Sequence, residues 1–334
     1  MSSLLSRFAK FSYPASHAFR PAIFFSSTST LLKSRLAMSR EKVKSILKQQ
    51  GIDTEITKVA NEFTRTDMKL LNVSFRPALK QCDVIPATQV IDFPEEYVLP
   101  DIDRSILRQP DFDVDKLEEI IKEQRNKKQQ NAESLKVDDC VKTFFDKLHD
   151  VVENSDVSIG TAETYTDTLV DDLLRIVALN RWPLKIRNHP LYRLSILGEP
   201  YVSADPEFVV DMRKKILVAV EDKHLRNVYS TSNFGETQLT AEVLACGNEN
   251  VREESIDQTI YAIRFITTYV TFYKAVITKE YWEELGEGLP NNQSVIIERW
   301  PGENGLKTGV DLADPDGRRS VLRALIRIRE TLTT

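Results

Sequence analysis

Two short apolar runs, Phe208-Val-Val210 and Ile216-Leu-Val-Ala-Val220, stand five residues apart with Asp211-Met-Arg-Lys-Lys215 between them. Runs of this length, rich in β-favouring residues and split by a polar connection, predict two strands joined by a turn. Side chains alternate along a strand. Glu221 and Lys223, at the end of the second run, therefore project to one face and Asp222 to the other, while Asp205 and Glu207, ahead of the first run, share a face because they too are two apart. If the strands pair, an acid stands beside a Glu-x-Lys. Two carboxylates can hold Mg²⁺ while a nearby ammonium orients a water and offsets charge developing on a phosphate.

Helical patterns flank these strands. Gly160-Thr161-Ala-Glu163 opens a helix to Leu179 with Tyr165, Leu169, Leu173, Leu174 and Val177 as its apolar stripe and Glu163 in its first turn. Leu184 to Arg187 and Leu191 to Leu197 read as a first strand or hairpin around Asn188-His-Pro190. After the central pair, Gly235 to Cys246 forms a helix buried by Leu239, Val243, Leu244 and Cys246, with Glu236, Gln238 and Glu242 on other arcs. Gln258 to Ile277 is too β-branched for a comfortable helix and reads as two more strands.

On Asp205-Pro-Glu-Phe-Val-Val210, on Glu221-Asp222-Lys223 and on this order of elements, the chain resembles the PD-(D/E)XK nuclease superfamily. Large sets of uncharacterised fungal and Crinkler-related proteins carry such cores, and the body of this chain is similar to them. The resemblance implies an α/β fold with a restriction-endonuclease-like core, a central mixed sheet flanked by helices in αβββαβ order. It implies an Mg²⁺-dependent endonuclease or exonuclease, with Mn²⁺ as the alternative ion and DNA favoured over RNA. In that reading Glu207 or Asp205 and Glu221 hold the metal, the Asp222 carbonyl joins them, Lys223 positions the attacking water, and Glu163 and Gln238 assist. Asp167, Asp171 and Asp172 are the fallback positions for Glu163.

Charge limits how a nucleic acid could be held. Residues 1 to 40 contain no Asp or Glu, ten serines and the cations Arg7, Lys10, Arg20, Lys33, Arg35 and Arg40; removing these six cations from the overall −5 leaves −11 for the body. An acidic body needs a local basic surface to meet phosphates. The candidates are Lys185 and Arg187 beside the proposed site, and Arg319, Arg323 and Arg327, which recur every four residues opposite Leu322, Leu325 and Ile328. The acidic body also favours a competing reading, in which a scaffold of the same type without catalysis serves as a protein-interaction or effector module.

Three segments are expected. Residues 1–40 are transit-like or disordered; Leu4, Leu5, Phe8 and Phe11 beside Arg7 and Lys10 suit mitochondrial import, and translation from Met38 would omit them and leave the protein cytoplasmic or nuclear. Residues 41–153 form a helical extension that starts with a Ser39-capped helix and includes a proline-rich connector from Asp83 to Pro110. Residues 154–334 carry the nuclease-like domain. Cys82, Cys140 and Cys246 are too scattered for a disulfide framework or a cysteine zinc site, and no run of about twenty uncharged apolar residues is present.

Overall fold

A computed structural model describes residues 25–53, 55–128, 136–156, 163–213, 215–223, 228–251 and 256–333. The central strands form where the apolar runs predict them. β1 (Val73–Pro77), β2 (Leu184–Asn188), β5 (Phe208–Met212), β6 (Lys215–Lys223), β7 (Gln258–Ile266), β8 (Tyr269–Ile277) and β9 (Val295–Trp300) make one mixed sheet in the order β1-β9-β8-β7-β6-β5-β2, and the short β10 (Val310–Asp311) pairs with β8. The central pair, β6 with β7, is parallel, and β5 is antiparallel to β6. β3 (Tyr192–Ile196) and β4 (Glu199–Ala204) form a separate hairpin.

That hairpin corrects the expected pairing around Asn188. β2 pairs with β5 and leaves the Leu191 to Leu197 run to a second, two-stranded sheet. Leu197 and Gly198, both at positive φ, turn the chain back on itself, the backbone that a two-residue hairpin loop of the right twist requires. In the central hairpin the turn is shorter than expected: Asp211 and Met212 extend β5, and a register shift opposite Leu217 absorbs the extra residue of β6.

Alternation divides the sheet's side chains between two cores. Phe208, Val210, Val218, Val220, Ile263, Phe265 and Phe272 face one layer, made by α6 (Asp139–Asp156), α7 (Thr164–Ile176) and α10 (Pro315–Thr333). Val209, Ala219, Ala262, Tyr273 and Ile297 face the other, made by α8 (Glu236–Asn250), α9 (Lys279–Glu287), the β3–β4 hairpin and the inner stripe of α1 (Phe25–Gln49). The architecture is α/β, with helices on both faces of a mixed sheet.

The expected division at residues 153 and 154 crosses both cores. Phe144, Phe145, Leu148, Val151 and Val152 of α6 pack in the same cluster as α7, the sheet and α10, and Val43, Leu47, Phe63 and Val73 pack with α8. β1, unforeseen in the sequence, is a parallel strand of the main sheet. The connector is not simply extended: α3 (Gln81–Val84) and α4 (Arg104–Leu107) interrupt it, and Ile85, Tyr97, Val98, Ile102 and Leu107 are buried. On either side of the connector, α2 (Arg65–Leu70) precedes β1 and α5 (Leu117–Lys127) precedes α6. Ser39 lies inside α1 and does not cap it; its hydroxyl donates to Glu199. The amphipathic stretch from Leu4 to Phe11 and the cap at Thr161 lie outside the described residues. No helix among the described residues is long and apolar enough to cross a membrane.

Candidate functional site

The antiparallel register of β5 and β6 ends with Phe208 opposite Val220, and Glu207 just precedes the one while Glu221 just follows the other. Both have the parity of Val209 and Ala219 and therefore face the α8 layer. Glu221 is fully buried. Glu207 is held from its other side: the His189 Nδ1 lies 3.0 Å from a Glu207 carboxylate oxygen, and the His189 amide donates to the Glu207 carbonyl at 3.0 Å.

α8 supplies the third wall. Gln238 Nε2 donates to Glu221 at 2.6 Å and to Glu242, one turn further along, at 2.8 Å. One amide nitrogen thus bridges two fully buried carboxylates. Glu236 and Glu242, on arcs of α8 other than its apolar one, are fully buried as well, because α8 is sandwiched between the sheet and the β3–β4 hairpin.

Glu236 at the start of α8 belongs to an ionic network beside the cluster. It accepts from Arg299 at 2.5 Å and from Asn233, while Arg264 donates to the Phe234 carbonyl and to Asn304. Burial pushes the Glu236 carboxyl upward, against the pull of Arg299 and Arg264. Arg264 is fully buried, pairs in register with Glu221, and places cationic charge on the strand next to it. Arg264 and Arg299 are new to the site, and Glu242 enters it as a buried partner of Gln238. Each carried a signal: an arginine at the Ala262 parity of an apolar strand, an arginine in Val-Ile-Ile-Glu-Arg-Trp, and an acid four residues after Gln238.

Asp205, Glu207 and Gln238 line a cleft of ≈ 360 Å³ whose remaining walls include Val59, Ala60, Leu191 and Ser203. The structure therefore brings four of the predicted residues together: Asp205, Glu207, Glu221 and Gln238. Both alternatives for the first acid border the cleft. β6 carries the backbone of Asp222 and Lys223, and their side chains lie outside the described residues. Glu163 stands at the N-terminus of α7, in the opposite layer, and of its fallbacks Asp171 is paired with Arg175 and Asp172 with Lys147.

The basic candidates are mostly engaged elsewhere. Arg187 pairs with the buried Asp211, while Lys185 is exposed on edge strand β2. Arg319 forms a two-pronged pair with Glu95, and Arg319 and Arg323 both lie over the Phe93 ring. The Arg327 carbonyl accepts from Thr88. This stripe fastens the proline-rich connector onto α10, on the layer opposite the cleft.

Among the described residues no group of three or more His, Cys, Asp or Glu is close enough to hold a metal ion. The acids that line the cleft are Asp205 and Glu207, hard oxygen donors of the kind Mg²⁺ takes one or two of while keeping several waters, and not the donor set of a structural zinc. No protein-family model matches the chain, and no curated protein matches it.

Proposed function

We propose that this protein is a metal-dependent nuclease that hydrolyses phosphodiester bonds, with DNA favoured over RNA. The observation that carries the reading is Gln238, which donates to Glu221 near the end of β6 and lines one cleft with Asp205 and Glu207, just ahead of β5. The order of elements supports it: α7, β2, β5, β6, α8 and β7 follow the αβββαβ sequence of a PD-(D/E)XK core, with the β3–β4 hairpin as an insertion.

Glu221 and either Glu207 or Asp205 would hold Mg²⁺, with the Asp222 carbonyl joining them. Bound there, the ion would supply Lewis acidity toward a phosphoryl oxygen and a more acidic water. The chain's own groups do the rest. Gln238 orients the Glu221 carboxylate through a 2.6 Å hydrogen bond, and the surrounding burial keeps that charge poorly screened. Lys223, two residues beyond Glu221 on the same strand, has the parity to reach the same face, where its ammonium would orient the attacking water. Glu163, at the N-terminus of α7, is the first-helix acid of this reading and would assist.

The test is cleavage of single- and double-stranded DNA and RNA by the full chain with Mg²⁺ or Mn²⁺, beside Lys223→Ala and Glu221→Ala. Metal-dependent cutting should fall by at least about a hundredfold in both variants, the effect of losing several kcal/mol of transition-state stabilisation. Folded protein that neither cuts nor binds Mg²⁺ would sink the reading.

A further inference from the structure

The wall of the cleft opposite the carboxylates is built from the amino-terminal part of the chain, and it is fixed. The Asp67 carboxylate accepts from the amides of Thr57 and Thr64 at 2.8 Å each, and from their hydroxyls at 2.8 and 2.6 Å. Lys58 and Val59 are bound to β4, through the Ser203 amide donating to the Lys58 carbonyl at 2.9 Å and a bridge from Val59 to Ser203. Arg40 of α1 spans the same junction, donating to the Tyr201 carbonyl at 2.7 Å and the Lys58 carbonyl at 2.8 Å. A wall tied at both ends and buried behind does not swing aside to admit a wide ligand.

Beside the polar Asn61 and Ser203, the cleft exposes two large aliphatic side chains: Val59 of this wall and Leu191, between β2 and β3, are 40% and 60% exposed and line the same cleft as Asp205 and Glu207. Phosphates are met by cations and hydrogen-bond donors, whereas apolar side chains meet the faces of bases. In a duplex those faces are stacked away and only an unpaired nucleotide offers one. The cleft, at ≈ 360 Å³, lies near the lower end of the span of ligand pockets, about 300–1,000 Å³, which is room for one nucleotide.

We propose that the substrate is single-stranded DNA, one unpaired nucleotide of which enters this cleft with its base against Val59 and Leu191 and its phosphate toward Asp205 and Glu207. The inference rests on the nuclease reading and narrows it. Because Leu191 is exposed, Leu191→Asp leaves the fold intact while placing charge where the base would lie; Val59→Ser is the second variant.

The full chain is given one labelled oligonucleotide with Mg²⁺, either as a single strand or annealed into a blunt duplex. The single strand should be cut at least about tenfold faster, and Leu191→Asp should raise its KM about tenfold with kcat within about twofold. Equal rates on the two substrates, or an unchanged KM in both variants, would overturn the inference and leave the nuclease reading standing, since loss of cutting in Lys223→Ala marks that separately. If neither substrate is cut, fluorescence anisotropy with Ca²⁺ in place of Mg²⁺ decides. Tighter binding of the single strand, weakened by Leu191→Asp, supports the inference, and equal or absent binding rejects it.

Discussion

One amide nitrogen, Gln238 Nε2, holds two buried carboxylates, and this arrangement ties stability to function at single residues. Gln238→Ala removes both hydrogen bonds and leaves Glu221 and Glu242 to repel across a small cavity. Charge-assisted hydrogen bonds are worth about 1.5–3 kcal/mol each, and partial relaxation should hold the net loss to about 2–3 kcal/mol, read as a lower urea midpoint at unchanged slope. Glu221→Gln keeps an oxygen for Gln238, so it should hold stability within about 1 kcal/mol of the parent in the same titration while abolishing metal-dependent cutting. A Glu221→Gln protein less stable than the parent by more than that would show that the carboxylate serves the fold. Strand parity made Glu221 and Glu207 legible in the sequence, because alternation needs no tertiary knowledge. Glu236 and Arg264 were not legible as a buried set, since what encloses them is chain far apart in sequence: Asn233 and Phe234 ahead of α8, Arg299 on β9, and Asn304.

At the scale of elements, the strands that form the central sheet follow from their apolar runs, and what eluded the reading was partnership. Tyr192–Ile196 is a strand, as its composition suggests, but it pairs with β4 and not β2, a choice made by the Leu197-Gly198 turn. α8 runs on past Gly247, which reads as a stop, to Asn250. The glycine is there because a Cβ would come within 2.7 Å of the Trp282 ring of α9, a packing requirement invisible in local sequence. The link from α9 to β9 shows a titration acting on an element's edge. Glu284 accepts from the amides of Asn291, Asn292 and Gln293 and from the Asn292 side chain, and these bonds, that from Gln293 foremost, hold its carboxyl below the usual range. A carboxyl with a lowered folded pKa contributes its stabilisation above the ordinary value near 4.5, and loses it as pH falls through the folded value. Amide exchange at Gln293, corrected for intrinsic rates, should therefore accelerate as pH drops below about 4.5. In Glu284→Gln that pH dependence should vanish; a Gln293 protection factor that falls equally in the variant would assign the change to another group.

For the molecule as a whole, composition suggested an extension followed by a catalytic domain, because the carboxylate motifs and the predicted strands all fall after residue 154. The buried clusters run across that division. The sheet has two faces, and each is covered partly by chain from before that point: α6 with the connector on one side, α1 and the segment from Ile56 to Val73 on the other. Residues 154–334 alone would leave the Phe208, Val210 and Phe272 face without Phe144, Phe145 and Leu148, and would remove β1 from the sheet's edge. Each large apolar side chain uncovered in this way forfeits about 1.5–3 kcal/mol of burial, against a total stability of about 5–15 kcal/mol for an ordinary fold. The fragment should consequently show no cooperative urea transition and should bind a hydrophobic dye, where the full chain unfolds in a single step. The cleft points the same way, since Val59 and Ala60 form its wall and Arg40 anchors that wall to β4. A fragment that nevertheless folded and cut DNA would mean that the amino-terminal half covers a core and a site already complete without it. Single-strand preference should then be lost along with the wall, so the same fragment tests whether the extension contributes to specificity or only to stability.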